Sequence, residues 1–171
     1  MKITNGKITI NDFVKNDIKK KISIINNKNN NTFLHYDLPL EYCKTLKWYE
    51  NKKSSNRIDC TIRYNNEVCG FIGLINIDYI NKKAEYYICI DYNYSGKNIG
   101  VISSLMLLDY AFSKLKINKV YLFTEIDNSK AQYIFEKIGF HREGLLKDDI
   151  FYNGKMTSRY VYGIWKKDIN L

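Results

Sequence analysis

The sequence has few of the residues that form disulfides, bind metal ions or break helices and strands. Its 171 residues include one proline, two histidines and four cysteines, and no two cysteines form a C-x-x-C pair. A zinc site needs a tighter cluster of ligands, so this spacing predicts no metal site and thiols that are reduced and mostly buried. No apolar run approaches the roughly 20 residues that cross a bilayer. The length predicts one domain over residues 1–171.

The chain is basic, with a formal net charge of +9, and 45% of its residues are hydrophobic. Positive charge attracts phosphates, nucleotides and nucleic acids. The lysines are scattered, however, with no basic stripe interleaved with aromatic residues and no nucleic-acid motif, so we predict no nucleic-acid or membrane partner. The first residues alternate polar and apolar side chains and lack the apolar stretch of a signal peptide, which predicts a cytoplasmic protein.

Periodicity predicts alternating strands and helices. Polar–apolar alternation and short apolar runs indicate strands at residues 7–12, 57–64, 67–78, 84–90, 119–126, 141–151 and 158–165. Helical spacing indicates helices at 12–25, 101–115 and 129–138, and Pro39 is expected to open another. Residues 26–32 read as a polar loop, and turns are predicted at Asn65-Asn66 and Asn153-Gly154. The order predicts an α/β fold with a mainly antiparallel central sheet flanked by helices.

The segment SGKNIG, Ser95 to Gly100, lies between a predicted strand and a predicted helix. Glycines there allow a sharp turn that presents backbone N–H groups at the positive end of the helix dipole, which is a site for an anion. The segment is neither a Walker loop nor G-x-G-x-x-G. On this motif alone, a plain strand-to-helix loop and a phosphate-binding turn remain equally open.

Four segments, in order, resemble the GNAT acetyltransferases. KKAEYYICI (residues 82–90) is similar to the family's fourth strand, and SGKNIG to its pyrophosphate loop, usually Q/R-x-x-G-x-G/A. IDNSKAQYIFEKIGF (126–140) resembles the signature N-x-x-A-x-x-x-Y-x-K-x-G-F, and residues 142–164 resemble the C-terminal hairpin. The resemblance implies a sheet that splays between the family's fourth and fifth strands and acetyl-CoA as co-substrate, without a metal.

The resemblance also implies the residues that bind the coenzyme. They are Ile88, Cys89, Ile90, Ser95, Gly96, Lys97, Asn98, Ile99, Gly100, Val101, Asn128, Lys130, Ala131, Phe135 and Lys137. The loop departs from the family at Ser95 and at Asn98, although asparagine tolerates left-handed backbone angles. Phe135 stands where many relatives have a tyrosine thought to protonate the thiolate. Asn128 is also suited to a plain helix cap.

Glu85 is the candidate general base for direct attack of an amine on the thioester in a ternary complex. A solvent-facing strand glutamate is the alternative, because Lys83, Glu85 and Tyr87 alternate onto one face. Backbone N–H groups from Ile88 to Ile90 are expected to polarise the carbonyl. A thiolate with a pKa near ~8.5 leaves without a dedicated acid. A route through Cys89 is disfavoured, since no activating group is adjacent in sequence.

The acceptor is predicted to be a small-molecule primary amine, with an aromatic set suited to stacking on a ring or nucleobase. The set comprises Phe33, His35, Tyr36, Trp48, Tyr49 and Tyr87. Residues 38–62 look most like the amino-sugar branch, whose substrates are nucleotide-linked, and an anionic substrate suits a basic protein. A polyamine, a protein N-terminus and a catalytically weak acetyl-CoA-binding module are the alternatives. The assembly is open, with a homodimer among the options.

Overall fold

The computed structural model describes residues 1–52, 56–152 and 154–169. Eight strands form one sheet in the order β1-β2-β3-β4-β5-β6-β8-β7. Their bounds are β1 Lys2–Asn5, β2 Ile8–Asp12, β3 Ile58–Tyr64, β4 Glu67–Asp78, β5 Lys83–Ile90, β6 Lys119–Glu125, β7 His141–Tyr152 and β8 Lys155–Trp165. Neighbouring strands are antiparallel except β5 and β6, which run parallel. This mainly antiparallel α/β sheet confirms the predicted fold class.

Five helices cover the two faces of the sheet. They are α1 Ile18–Asn26, α2 Lys28–Asn31, α3 Tyr42–Asn51, α4 Ile99–Ser113 and α5 Ser129–Ile138. The larger core lies between the sheet and α4 and α5, and a smaller one lies on the opposite face, under α1 and α3. None of the helices in the described ranges is long and apolar enough to span a membrane.

Strand β5 contributes to both cores because its side chains alternate between the two faces. Ala84, Tyr86, Ile88 and Ile90 pack toward the larger core. Cys89 packs toward the smaller core, beside Phe71 of β4. The residues of β5 with odd numbers therefore face α1 and α3, and those with even numbers face α4.

The parallel pairing of β5 with β6 is short. It covers only Lys83 with Lys119, Ala84 with Val120, and Glu85 with Tyr121. Beyond Glu85 the two strands separate, while β5 continues to pair with β4 as far as Ile90. This separation is the splay that the family resemblance implies.

Several boundaries differ from the sequence prediction, each for a local reason. The edge strand β1 is unpredicted because it is only four residues long and mostly exposed, with a single apolar residue, Ile3. Residues 26–32 contain the helical turn α2, in which the Asn27 side chain accepts the N–H of Asn29. Pro39 does not open a helix, because the Asn26 side chain bonds both the N–H and the carbonyl of Leu40 and α3 begins only at Tyr42.

Other predicted features agree with the structure or lie outside the described residues. Asn65 and Asn66 both have positive φ, as the predicted tight turn requires. Gly139 ends α5 in the left-handed region. Helix α4 is buried over more of its circumference than the predicted single apolar face. Asn153, half of the second predicted turn, lies outside the described residues.

Candidate active site

The loop from Ser95 to Gly100 enters α4 through two left-handed residues. Gly96 has φ 79° and Asn98 has φ 56°. Asn98 is the N-cap residue but makes no side-chain cap hydrogen bond, and its carbonyl accepts the first helical bond from Ile102. Among the described residues, the N–H groups of the first turn of α4 are therefore available to an anion. The loop can cradle a phosphate even though Asn98 replaces the usual glycine.

Two lysines lie beside this loop. Lys130, at the start of α5, donates to the hydroxyl of Ser95 over 3.3 Å. The Lys97 ammonium lies 5.1 Å from the ring centroid of Tyr94 and 5.4 Å from that of Tyr64. Lys97 and Lys130 are both exposed, so their positive charges are open to an anion that approaches the loop, beside the hydroxyl of Ser95.

Backbone groups of β5 point into the splay. The Asp91 N–H donates to Cys69 of β4, and the Lys82 carbonyl accepts N–H groups from Asn118 and Lys119 ahead of β6. Successive residues of a strand direct their backbone groups to opposite sides, so those of Ile88 and Ile90 face the space that β6 vacates. The side chains of Ile88 and Ile90 lie next to Gly100, so the edge of β5 adjoins the start of α4.

Glu85 lies at the fork where β5 and β6 separate. It is half-buried, and its carboxylate accepts a 2.8 Å hydrogen bond from the Asn76 side chain. It pairs across the strands with Ile75 and shares the α1–α3 face with Tyr87. Glu85 is thus a partly buried glutamate that a neighbouring amide orients, rather than a freely solvated one.

A cavity of about 400 Å³ opens on the same face of the sheet. Twelve residues line it, from α1, α3, the segment between them, the residue before β3, and strands β3 to β5. Among its lining residues are three of the predicted acceptor aromatics, Tyr36, Trp48 and Tyr87. Ile75, the cross-strand partner of Glu85, also lines it, so the cavity reaches the immediate neighbourhood of that carboxylate.

The other three predicted acceptor residues lie elsewhere. His35 bonds Glu125 of β6 over 2.7 Å and packs edge-on against Tyr152. Tyr49 packs edge-on against Phe13 in the smaller core. Phe33 is half-buried in the turn after α2 and is not among the cavity's lining residues. Helical geometry separates Tyr49 from its neighbour Trp48, because adjacent residues project about 100° apart.

A buried carboxylate, Asp59, organises the inner wall of the cavity. Arg57 binds it through two hydrogen bonds of 2.8 and 2.7 Å, and the Tyr87 hydroxyl donates a third over 2.7 Å. Burial by itself raises the pKa of Asp59, but these hydrogen bonds and the charges of Arg57 and Lys52 hold that pKa below its ordinary value. Burial, with Asp59 adjacent, raises the pKa of Tyr87 well above its usual range, so the phenol stays a donor.

The position of the Tyr87 ring requires a close approach of that ring to the backbone of β4. A Cβ at Gly73 would collide with the Tyr87 ring and with the carbonyl of Ile58. Glycine at this position therefore lets the ring lie flat enough to reach Asp59.

Helix α5 places the remaining coenzyme candidates in different environments. The Asn128 side chain caps the helix by accepting the N–H of Ala131 over 3.2 Å, so the plain cap is present. Lys137 is exposed in the last turn. Phe135 is only 9% exposed and packs against the rings of Tyr86, Phe140 and Tyr162. Tyr133 is 68% exposed on another side of the helix, as the predicted angle between the two residues requires.

The environment of Cys89 and the distribution of potential ligands in the described residues bear on a covalent route and on a metal centre. Burial raises the pKa of the Cys89 thiol to about 11, which disfavours the thiolate that a covalent route needs. Within the described ranges, no group of three or more histidine, cysteine, aspartate or glutamate residues could hold a metal ion.

Sequence reasoning missed Lys21, Arg57 and Asp59, which all line the cavity. The sequence pattern could have identified Lys21, because it falls on the apolar face of α1 with Ile18, Ile24 and Ile25. No sequence pattern identifies Asp59, since a single acidic residue in an alternating strand is ordinarily solvent-facing.

Comparison with known proteins adds family information to this geometry. A profile described as "Acetyltransferase (GNAT) domain" matches residues 8–141. The chain is 31% identical over 121 residues to the "Putative ribosomal N-acetyltransferase YdaF" of Bacillus subtilis, covering 71% of this chain and 66% of the relative. It is 29% identical over 170 residues to the spermidine N(1)-acetyltransferase of Vibrio cholerae, covering 97% and 98% of the two chains.

The fold also matches solved structures of that Vibrio enzyme. A crystal structure of spermidine N-acetyltransferase in complex with CoA and spermine superposes with a TM-score of 0.87 at 24% identity, over 96% of this chain and 98% of the other. A dodecameric structure of the same enzyme superposes with a TM-score of 0.81 at 23% identity, over 95% and 96% of the two chains.

Proposed function

Because the chain belongs to the GNAT family of acetyl-CoA-dependent N-acetyltransferases, we propose that it acetylates the primary amine of a small molecule bound in the cavity above Asp59. The splay beside Glu85 carries this proposal, since it joins the free edge of β5 to the cavity. The whole chain is taken as one acetyltransferase domain. Cytoplasmic location and homodimer formation remain predictions.

The coenzyme would lie along the splay. Its pyrophosphate would accept hydrogen bonds from the first turn of α4, with Ser95, Lys97 and Lys130 nearby. Its pantetheine arm would pair with the edge of β5 as an added strand. The N–H groups of Ile88 and Ile90 would then polarise the thioester carbonyl.

Glu85 would take the proton of the acceptor ammonium, directly or through water. An alkylammonium has a pKa of roughly 10, so the amine must lose a proton before it can attack. The neutral amine forms the new C–N bond to the acetyl carbonyl, the C–S bond breaks, and coenzyme A leaves as the thiolate. The nitrogen of the adduct releases its surplus proton to solvent water, which leaves the neutral amide. With Phe135 buried among aromatic rings, no phenol at that position supplies a proton to the thiolate.

The named relatives point to two classes of acceptor. The spermidine N(1)-acetyltransferase of Vibrio cholerae, matched over 97% of this chain, favours a polyamine, and the putative ribosomal N-acetyltransferase, matched over 71%, favours a ribosomal protein; neither supports the nucleotide-linked amino sugar. Spermidine is therefore the first acceptor to test, with an N-terminal peptide and a nucleotide 4-amino sugar as the other arms of a thiol-release assay. Acetyl-CoA consumption with none of these amines, together with no acetyl-CoA-dependent rise in melting temperature, would contradict the proposal.

Glu85→Gln tests the proposed base. We expect kcat to fall by at least about 100-fold at pH 7, the range for a general base. The loss should shrink as the pH approaches the pKa of the amine, because solvent then supplies neutral acceptor. Glu67→Gln, at an exposed glutamate in the first position of β4, is the matched control. An unchanged rate in Glu85→Gln across this pH range removes Glu85 from the mechanism.

A further inference from the structure

Lys21 is a charged residue in an apolar position. Its side chain extends from the buried face of α1 toward the sheet, and the residue is only 6% exposed. The described residues give it no hydrogen bond and no salt bridge. Its ammonium lies 5.0 to 5.9 Å from the ring centroids of four aromatic residues: Phe13, Tyr36, Trp48 and Phe71. These rings stabilise a cation but cannot neutralise it.

The charges around Lys21 do not balance within the protein. Among the described residues, Lys21, Lys52 and Arg57 lie around one carboxylate, Asp59, which leaves an excess of two positive charges at that point. The other charged residues that line the cavity are exposed and pair with one another: Asp37, Glu41 and Lys44. Asp59 attracts Lys21 through space, which partly offsets the effect of burial on the Lys21 pKa, but the bonds that its oxygens accept within the described residues come from Arg57, Tyr87 and Lys52. Burial lowers the pKa of Lys21 to about 8, as desolvation without a bonded carboxylate should. A bound anion would supply the missing charge.

The cavity connects this positive end to the reactive end. Lys21 and Ile75 line the same cavity of about 400 Å³, and Ile75 is the cross-strand neighbour of Glu85. One small molecule can therefore reach both. A polyamine amine placed at the inner end would bring further positive charge against Lys21 and Arg57, which is unfavourable in a partly desolvated site. The carboxylates of Asp37 and Glu41 also line the cavity, but both residues are exposed, so solvent screens their attraction for a cation.

We propose that the inner end of the cavity is an anion-binding subsite in which Lys21 binds a carboxylate or phosphate of the acceptor, so that the acceptor is an amine that also carries a negative group. This inference rests on the proposed function, because it takes the cavity as the acceptor site. The aromatic rings beside Lys21 provide apolar contact for the body of the same molecule.

A binding measurement tests the subsite without catalysis. Inorganic phosphate is titrated into protein saturated with coenzyme A, which blocks the phosphate sites of the coenzyme, and the melting temperature is followed. We expect phosphate to stabilise the native protein and Lys19→Met, an exposed control on the same helix. In Lys21→Met the phosphate Kd should rise by about 10-fold or more, the loss of one charged hydrogen bond. Equal phosphate Kd values in all three proteins would overturn the proposal.

A kinetic comparison identifies the anion and does not depend on a variant. Thiol release is measured with matched amines: 4-aminobutanoate against 1-aminobutane, O-phosphoethanolamine against ethanolamine, and glucosamine 6-phosphate against glucosamine, with spermidine as a cationic reference. We expect the native enzyme to prefer the anionic member of at least one pair by about 10-fold in kcat/KM. The carboxylate and phosphate pairs show which anion is bound, and Lys21→Met should abolish the preference through KM.

The two hypotheses fail in different ways. Acetylation of neutral amines or spermidine at least as fast as their anionic partners, unaffected by Lys21→Met, overturns the anion subsite and leaves acetyl transfer intact. Lys21-dependent phosphate binding without turnover of any amine supports the subsite and contradicts the proposed function.

Discussion

Replacing Asp59 with asparagine removes the one carboxylate that holds the inner wall of the cavity together. The side chain of Asp59 is 3% exposed, whereas those of Arg57 and Lys52 are 26% and 19% exposed. Breaking a buried ion pair costs about 3–5 kcal/mol. Because both cations can partly turn toward water in the cavity, we expect Asp59→Asn to lower the free energy of unfolding by about 2–3 kcal/mol.

Urea denaturation at pH 7 measures this loss directly. The corresponding fall in melting temperature is about 4–12 °C for a chain of this size. Asp37→Asn is the control, because that side chain is 95% exposed and its ion pair with Lys44 should contribute little. A double-mutant cycle with Arg57→Gln should give a coupling free energy of at least about 1.5 kcal/mol. A change below about 0.5 kcal/mol in Asp59→Asn, the range of an ordinary surface substitution, would refute the reasoning.

The stabilisation that Asp59 provides should be lost at low pH. The pKa of Asp59 is lower in the folded protein than its ordinary value, so its stabilising contribution is present above the unfolded pKa of about 3.9 and is lost as pH falls through the folded value. The difference between the native protein and Asp59→Asn should therefore be present in full between about pH 5 and pH 6, well below the Lys21 pKa of about 8 that Asp59 helps to raise, and should close below about pH 4. A difference that persists at low pH would show that shape, not charge, is responsible.

Two further predictions concern the coenzyme half of the site. Asn98→Ala should destabilise the loop by about 1–2 kcal/mol and weaken the binding of acetyl-CoA measured by calorimetry, because alanine resists the left-handed backbone at φ 56°. Asn98→Gly should bind acetyl-CoA as tightly as the native protein. Equal Kd values for the alanine and glycine variants would contradict this reasoning. Phe135→Tyr should leave kcat unchanged and lower the free energy of unfolding by about 1–3 kcal/mol, because the new hydroxyl must fit into a buried position packed against three aromatic rings. A faster variant would show that the reaction is limited by protonation of the thiolate.

Local patterns were sufficient for most of the secondary structure. Alternation identified β3, β4 and β5 within a few residues, and the asparagine and glycine signals at Asn128 and Gly139 marked both ends of α5. These signals are local because strand pairing and helix caps depend on neighbouring residues. Prediction failed where a distant side chain intervened, as when Asn26 bonds Leu40 and delays the start of α3.

The proposed coenzyme loop and Glu85 were identified from the sequence for a similar reason. Each lies within a contiguous segment whose order along the chain is characteristic of the family, and the structure places them around one splay. Half of the predicted acceptor aromatics were misplaced, because composition identifies ring-bearing residues but not the side of the helix or loop on which they lie. His35, for example, turns away to bond Glu125 on β6.

The sequence by itself determined most of the α/β elements and the family, and it predicted the residues of a phosphate loop, because all of these depend on short stretches of neighbouring residues. Only the tertiary structure decided the charge around the cavity. Lys21, Arg57 and Asp59 come from α1, the segment before β3 and β3 itself, and they meet only when α1 packs over the sheet. Whether a lysine is solvated or left without a carboxylate depends on that packing, because both burial and distance set its electrostatic free energy.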